Sequence, residues 1–232
     1  MRKISDKLAS ALNDDHTSRR RFFRHAFTGV AVVAPVGVLA ACGDMADMDH
    51  SVSANTDQQK TSAETDFTKS KQIFHEIMKD ENEHVKFLQD NLKSAARPKP
   101  TFQKLEQADI QSFVNLSHTL ENVGVGAYLF AAPAVSQKTI LAAAGSILTI
   151  EARHAGFLGG LLQKPLSVNG AFDKPLTQAE IVKAASPFIA SLNGGPDPSA
   201  PLKSDVDILN FALLLEFLEA EFYNVNVPKL FK

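Results

Sequence analysis

Residues 208–218 read Ile-Leu-Asn-Phe-Ala-Leu-Leu-Leu-Glu-Phe-Leu, a nearly continuous apolar run with a single carboxylate, Glu216, set inside it. An ionised carboxylate on the inward face of such a helix is too costly to bury alone and needs a cation or a proton beside it. Whatever this chain folds into must bring such a partner to Glu216. Three other stretches place carboxylates in a similar position, and their spacing carries most of the information in the sequence.

From residue 67 onward the apolar pattern has helical period. Ile73, Ile77, Val85, Leu88 and Leu92 fall mostly on one stripe and predict a helix near 69–93. A second is expected from about Ile110 to Ala131, stopped before Pro133. A third runs from Ser136, read as its N-cap, through Leu162 and stops before Pro165. A fourth covers 204–225, with Asp205 and Asp207 suited to its N-terminal dipole. Thr177 to Glu180 forms a capping-box pattern that opens a shorter helix to about Leu192. No alternating strand pattern accompanies them, so the fold class is all-α.

The second and third helices are joined by about four residues and should be antiparallel neighbours. Residues 94–109 contain Pro98 and Pro100 and can run extended for about 45–50 Å. A 22-residue helix is only about 33 Å long, so this link can cross its full length. The stretch 165–203, with Gly194-Gly195-Pro196, can do the same. A four-helix bundle with two long crossover connections is therefore open to the chain.

The first helix holds Glu81-Asn82-Glu83-His84 and the third Glu151-Ala152-Arg153-His154. Each is a Glu-x-x-His, which sets a carboxylate and an imidazole on one face, one turn apart. The other two helices each place a Glu seven residues before a Tyr: Glu121 with Tyr128, and Glu216 with Tyr223, and these are the only two tyrosines in the chain. Two Glu-x-x-His segments plus two single glutamates, one from each of four helices, is the ligand set of a dinuclear carboxylate bundle. Taken singly, each Glu-x-x-His reads as a solvated helix surface; four matched helices together favour the metal.

The chain resembles the ferritin-like superfamily, specifically the exported bacterial ferritin-like-domain proteins related to plant desiccation-related proteins. The resemblance rests on Asp207 to Tyr223 (Asp-Ile-Leu-Asn-Phe-Ala-Leu-Leu-Leu-Glu-Phe-Leu-Glu-Ala-Glu-Phe-Tyr), on Glu121 to Tyr128, and on Ile150 to Gly156. In that family's usual order the helix with the Leu-Asn-Phe-Ala motif comes first, whereas here it comes last. The chain reads as a circular permutation, or else as a truncated tandem repeat in which Glu216 would serve a partner chain's bundle. The resemblance implies that Glu81 and Glu151 bridge two metal ions. By the same likeness His84 and His154 bind one ion each, with Glu121 and Glu216 as terminal carboxylates. Four carboxylates neutralise two divalent ions, and mixed oxygen and imidazole ligation suits Fe or Mn. Tyr128 and Tyr223 are then hydrogen-bond partners of the ligands or radical traps, or simply amphipathic core residues. His118 could be a further ligand or a group supporting one, but it completes no pattern in the partner helix, while His75, Glu83, Glu219 and Glu221 read as solvated or locally paired. Gly124, Gly126, Gly156, Gly159 and Gly160 read as close-packing positions between helices.

Residues 1–42 carry seven basic and three acidic residues, which leaves the rest of the chain distinctly acidic and argues against nucleic-acid binding. Ser18-Arg19-Arg20-Arg21-Phe22-Phe23-Arg24 reads as a twin-arginine export signal. The uncharged stretch 26–41 suits a signal peptide's apolar region better than a membrane span. Leu39-Ala40-Ala41-Cys42 resembles a lipobox, with Cys42 the lipidated residue, the alternative being ordinary cleavage that leaves Cys42 unmodified. Residues 43–66 lack aromatics, Ile and Leu, and read as a flexible tether spanning roughly 25–30 Å. The bundle domain is placed at 67–232.

These readings predict an exported, periplasmic or envelope protein held to the membrane by an N-terminal lipid anchor, with a homodimer as a further expectation. Its expected chemistry is a di-iron or di-manganese oxidoreductase acting on Fe(II), hydrogen peroxide or oxygen. The rival is a non-enzymatic envelope protein protective under drying or oxidative stress, and bulk iron storage ranks below both because a lipid tether suits a closed cage poorly.

Overall fold

The computed structural model describes residues 69–232. The twin-arginine segment, Cys42 and the proposed tether lie outside the described residues. Four long helices make the body: α1 (Lys71–Leu92), α2 (Ile110–Ala131), α3 (Lys138–Leu161) and, after a short α4 (Gln178–Ala185), α5 (Asp205–Leu230). The all-α bundle is as expected. No helix among the described residues is long and apolar enough to cross a membrane.

Aromatic contacts fix the helix directions. Phe74 at the start of α1 meets Phe113 at the start of α2, Phe157 near the end of α3 and Phe231 just past α5, with ring centroids 4.5–5.8 Å apart. Helices α1 and α2 therefore run one way and α3 and α5 the other, so both long connections do cross the bundle. Two asparagines of α5 hold the first crossover along its path. Asn210 accepts from the backbone N–H of Arg97 (2.6 Å) and donates to the Ala95 carbonyl (2.9 Å). Asn226 accepts from the Gln107 N–H (2.8 Å) and donates to the Leu105 carbonyl (3.0 Å). Sixteen residues of helix separate them, about 24 Å, which is the distance the crossover travels.

The second crossover departs from expectation. Its helix ends at Ala185, because Pro187 cannot continue the hydrogen-bond ladder, and the chain turns through a 3-10 turn into an extended segment. Although no strand was expected, β1 (Thr101–Phe102) pairs antiparallel with β2 (Ile189–Ser191), tying the two crossovers together. Strands of two and three residues are too short to show an alternating pattern. Helix α5 also continues five residues beyond Val225, since Val227 and Phe231 are buried in the core and draw the last turn inward.

Caps follow the local chemistry with one exchange. Asp109 accepts from the Ser112 N–H (2.7 Å), Ser204 from the Asp207 N–H (3.2 Å), and Thr177 with Glu180 completes the capping box. Ser136 is not the N-cap of α3. Asp205, from the first turn of α5, takes that role by accepting from the Ser136 and Gln137 N–H groups at 2.8 and 3.1 Å.

Candidate metal centre

Midway along the bundle, all six sequence-predicted ligands converge. Glu81 and His84 come from α1, Glu121 from α2, Glu151 and His154 from α3, and Glu216 from α5 of the same chain. They form two groups with their ligand atoms within 4.8 Å of one another: Glu81, His84, Glu151 and Glu216, and Glu81, Glu121, Glu151 and His154. Glu81 and Glu151 belong to both. The four carboxylates are essentially buried, and His84 keeps only 12 % of its side-chain surface.

Both imidazoles turn Nδ1 toward this centre. His84 Nδ1 lies 3.2 Å from Glu151 Oε1 and from Glu216 Oε2, and 3.4 Å from Glu81 Oε2. His154 Nδ1 lies 3.0 Å from Glu81 Oε1 and 3.2 Å from Glu121 Oε2. The tyrosines are exchanged between helices. Tyr223 of α5 donates to Glu121 Oε1 on α2 at 2.5 Å, and Tyr128 of α2 donates to Glu216 Oε1 on α5. Each terminal carboxylate thus gives Oε1 to a phenol and keeps Oε2 for the centre. The seven-residue spacing works because each Tyr lies two turns along from its own helix's Glu and reaches the opposite one.

The electrostatics match a site that wants cations. Burial lifts the Glu121 and Glu151 carboxyls above the usual range, Glu151 well above it, and neighbouring Glu81 lifts both further. Burial works against charge on His84 and His154, but the surrounding carboxylates outweigh it. They hold His84 far above its ordinary value and push His154 up to about 11. Burial and Glu216 keep Tyr128 protonated, and burial and Glu121 do the same for Tyr223, so both remain donors at neutral pH. Four buried carboxylate oxygens, Glu81 Oε1, both of Glu151 and Glu216 Oε2, have no hydrogen-bond partner. A ring nitrogen carries at most one proton and cannot satisfy several carboxylates at once. Orphaned oxygens of that number are costly in a dry interior and are satisfied by divalent cations, so the donor set fits a metal pair.

Two features differ from the sequence reading, and a third, His118, follows it. Glu219, read there as solvated or locally paired, is 3 % exposed, and among the described residues no hydrogen bond or ion pair reaches its carboxylate. Burial, with Glu151 and Glu81 nearby, pushes its pKa well up. Gly124 is less a helix-packing position than a cradle: a Cβ there would lie 2.7 Å from Glu151 Oε2 and 3.3 Å from Glu219 Oε1. His118 packs its ring against Gly159 and joins neither ligand group. Glu83 is exposed and Glu221 pairs with Lys99 at 2.5 Å, both as expected.

The Gly124 cradle makes a separable prediction. Gly124→Ala should leave helical content unchanged and the metal-free protein no less stable, since alanine favours the helix by about 0.5–1 kcal/mol over glycine. Metal affinity should nevertheless fall 10- to 100-fold as Glu151 is displaced. Equilibrium metal titration beside thermal unfolding of the metal-free protein checks both halves.

The arrangement defines a helical bundle with a buried carboxylate and histidine cluster able to hold metal, and the comparison with known families agrees. A family model described as a ferritin-like domain matches residues 5–164 and 204–230, omitting the second crossover. The chain belongs to the ferritin-like domain family. No curated protein and no solved structure matches it.

Proposed function

We propose that this protein binds two Fe or Mn ions between its four long helices and acts as an oxidoreductase on Fe(II), hydrogen peroxide or oxygen. The observation that carries the reading is the pair of overlapping ligand groups sharing Glu81 and Glu151, with four carboxylate oxygens lacking partners. Glu81 and Glu151 would bridge, His84 with Glu216 would complete one position, and His154 with Glu121 the other. A redox-active pair would supply the two electrons that reduction of a peroxide needs.

The chain's own part is positioning and protection. Tyr128 and Tyr223 fix Glu216 and Glu121 by holding one oxygen of each. The cluster of Phe74, Phe113, Phe222 and Tyr223 closes one end of the bundle core to water. Export by the twin-arginine route and lipidation at Cys42 remain part of the proposal, since that route carries proteins already folded and loaded. The permuted order draws support from the stacking of Phe74 on Phe231, which brings the start of α1 beside the end of α5.

The test is elemental analysis of protein made with Fe and Mn both supplied. About two ions per chain are expected for the wild type. The double variant Glu81→Ala with His84→Ala should hold less than half of that. Wild-type metal content in the variant would overturn the ligand assignment, and a folded wild type that binds no metal would favour the purely protective bundle instead.

A further inference from the structure

Helices α2 and α3 form one flank of the bundle, and that flank is almost free of acid. From Ile110 to Leu176 the chain has three carboxylates. Glu121 and Glu151 are buried in the centre, and Asp173 accepts from the Ser167 hydroxyl at 2.5 Å. The same stretch holds four exposed cations, Lys138, Arg153, Lys164 and Lys174. Helix α1, by contrast, exposes Glu76, Glu83 and Asp90.

The connection after α3 lies over this flank. It runs back along α3, where Cβ atoms built at Gly159 and Gly156 would lie 3.1 and 3.8 Å from the Pro165 and Leu166 carbonyl oxygens. It then crosses to α2, where the Leu176 N–H donates to the Gly126 carbonyl at 3.1 Å. Between these attachments it presents the two most exposed large apolar side chains among the described residues, Phe172 at 82 % and Leu166 at 79 %, and also Val168 at 58 %. The Ser167 hydroxyl accepts from the Asn169 N–H at 3.1 Å as well as donating to Asp173, so hydrogen bonds hold this loop in shape. On α3 itself Lys138, Ala142, Thr149 and Ala152 recur at helical spacing on the stripe that ends at Gly156 under the loop. Leu141 at the edge of that stripe is 39 % exposed, and a Cβ at Gly145 would meet nothing within 4 Å.

Apolar side chains raised above a surface and rimmed by Lys and Arg suit an anionic bilayer: the apolar groups enter the acyl boundary and the cations meet headgroup phosphates. A second copy of the same face fits less well, because it would set cations against cations with no acid to answer them. We propose that the outer face of the α2–α3 hairpin docks on an anionic lipid surface, with Leu166, Val168 and Phe172 inserted and Lys164 and Lys174 against the headgroups. The contact needs neither the metal pair nor a lipid on Cys42, and it leaves the acids of α1 turned to water.

The chain has no tryptophan, so Phe172→Trp and, separately, Phe87→Trp on α1 each give the full-length protein a single reporter. Each is mixed with vesicles of equal parts phosphatidylglycerol and phosphatidylcholine. Emission from Phe172→Trp should shift to the blue and be quenched by lipids brominated on their acyl chains, while Phe87→Trp should do neither. Adding Leu166→Ser and Val168→Ser to the Phe172→Trp chain should raise the lipid concentration for half the shift about 10-fold or more. Lys164→Gln with Lys174→Gln should raise it about 5-fold per lysine. The same pair should leave the response to pure phosphatidylcholine unchanged. Vesicle binding with neither reporter shifted, as attachment through residues 1–68 alone would give, overturns the docking face, and so does an equal shift in both. A blue shift of Phe172→Trp that grows with protein concentration and needs no vesicles assigns the face to a second copy and overturns the lipid surface.

Discussion

Without metal, Glu151→Leu is expected to make the protein more stable, and with metal, less stable than the wild type. Both oxygens of Glu151 are buried without a hydrogen bond. Replacing such unsatisfied polar atoms by an apolar side chain of similar volume removes a burial cost of about 1–3 kcal/mol where packing allows. The same change removes a carboxylate common to both ligand groups, so metal content should fall from about two ions per chain to one or none. Chemical denaturation with and without chelator checks the crossing of sign.

The metal-free wild type should also lose stability as pH rises. Glu121, Glu151 and Glu219 have raised folded pKa values, so the folded state holds more protons than the unfolded one. That stability is fully present below the ordinary glutamate value of about 4.3 and drains away above it. His154, raised to about 11, adds a loss of the same sign from about pH 6.5 upward. Denaturation midpoints of chelated protein should therefore be lower at pH 8 than at pH 5. In Glu151→Leu the slope should be shallower.

Phe113→Ala is the largest expected loss of stability, about 3–5 kcal/mol. Its ring is fully buried and lies 5.3–5.7 Å from Phe74, Phe222, Tyr223 and Phe231, joining α1, α2 and α5 at that pole of the bundle. The site should survive the change, because Tyr223 keeps its bond to Glu121 through the far end of its ring. Unfolding curves should shift strongly while metal stoichiometry at saturation stays near the wild-type value. A parallel collapse of both would mean that the aromatic pole and the centre form one cooperative unit.

The residues of the cluster were legible because helical spacing converts directly into a shared face, and four apolar helices left their carboxylates few other roles. Glu219 was not legible, because α5 is apolar almost all the way round and offers no polar stripe against which an inward acid could be told from an outward one. Gly124 reads as a packing glycine until the carboxylates beside it are seen. The crossover directions were equally underdetermined. Chain length permitted both, but the anchoring by Asn210 and Asn226 and the meeting of Phe74 with Phe231 decide them.

The two crossovers carry a kinetic consequence. Helix α1 packs against α5, more than a hundred residues away in the chain, so the group that includes Glu216 cannot close until these distant segments have met. Such non-local closure slows folding, and here the final docking brings charge into a dry interior. A divalent cation bound at that moment would act as a latch, holding acids that otherwise repel one another. Refolding in the presence of the ion should accordingly reach the native state in higher yield than refolding in chelator, with the gain arising at the docking of α5.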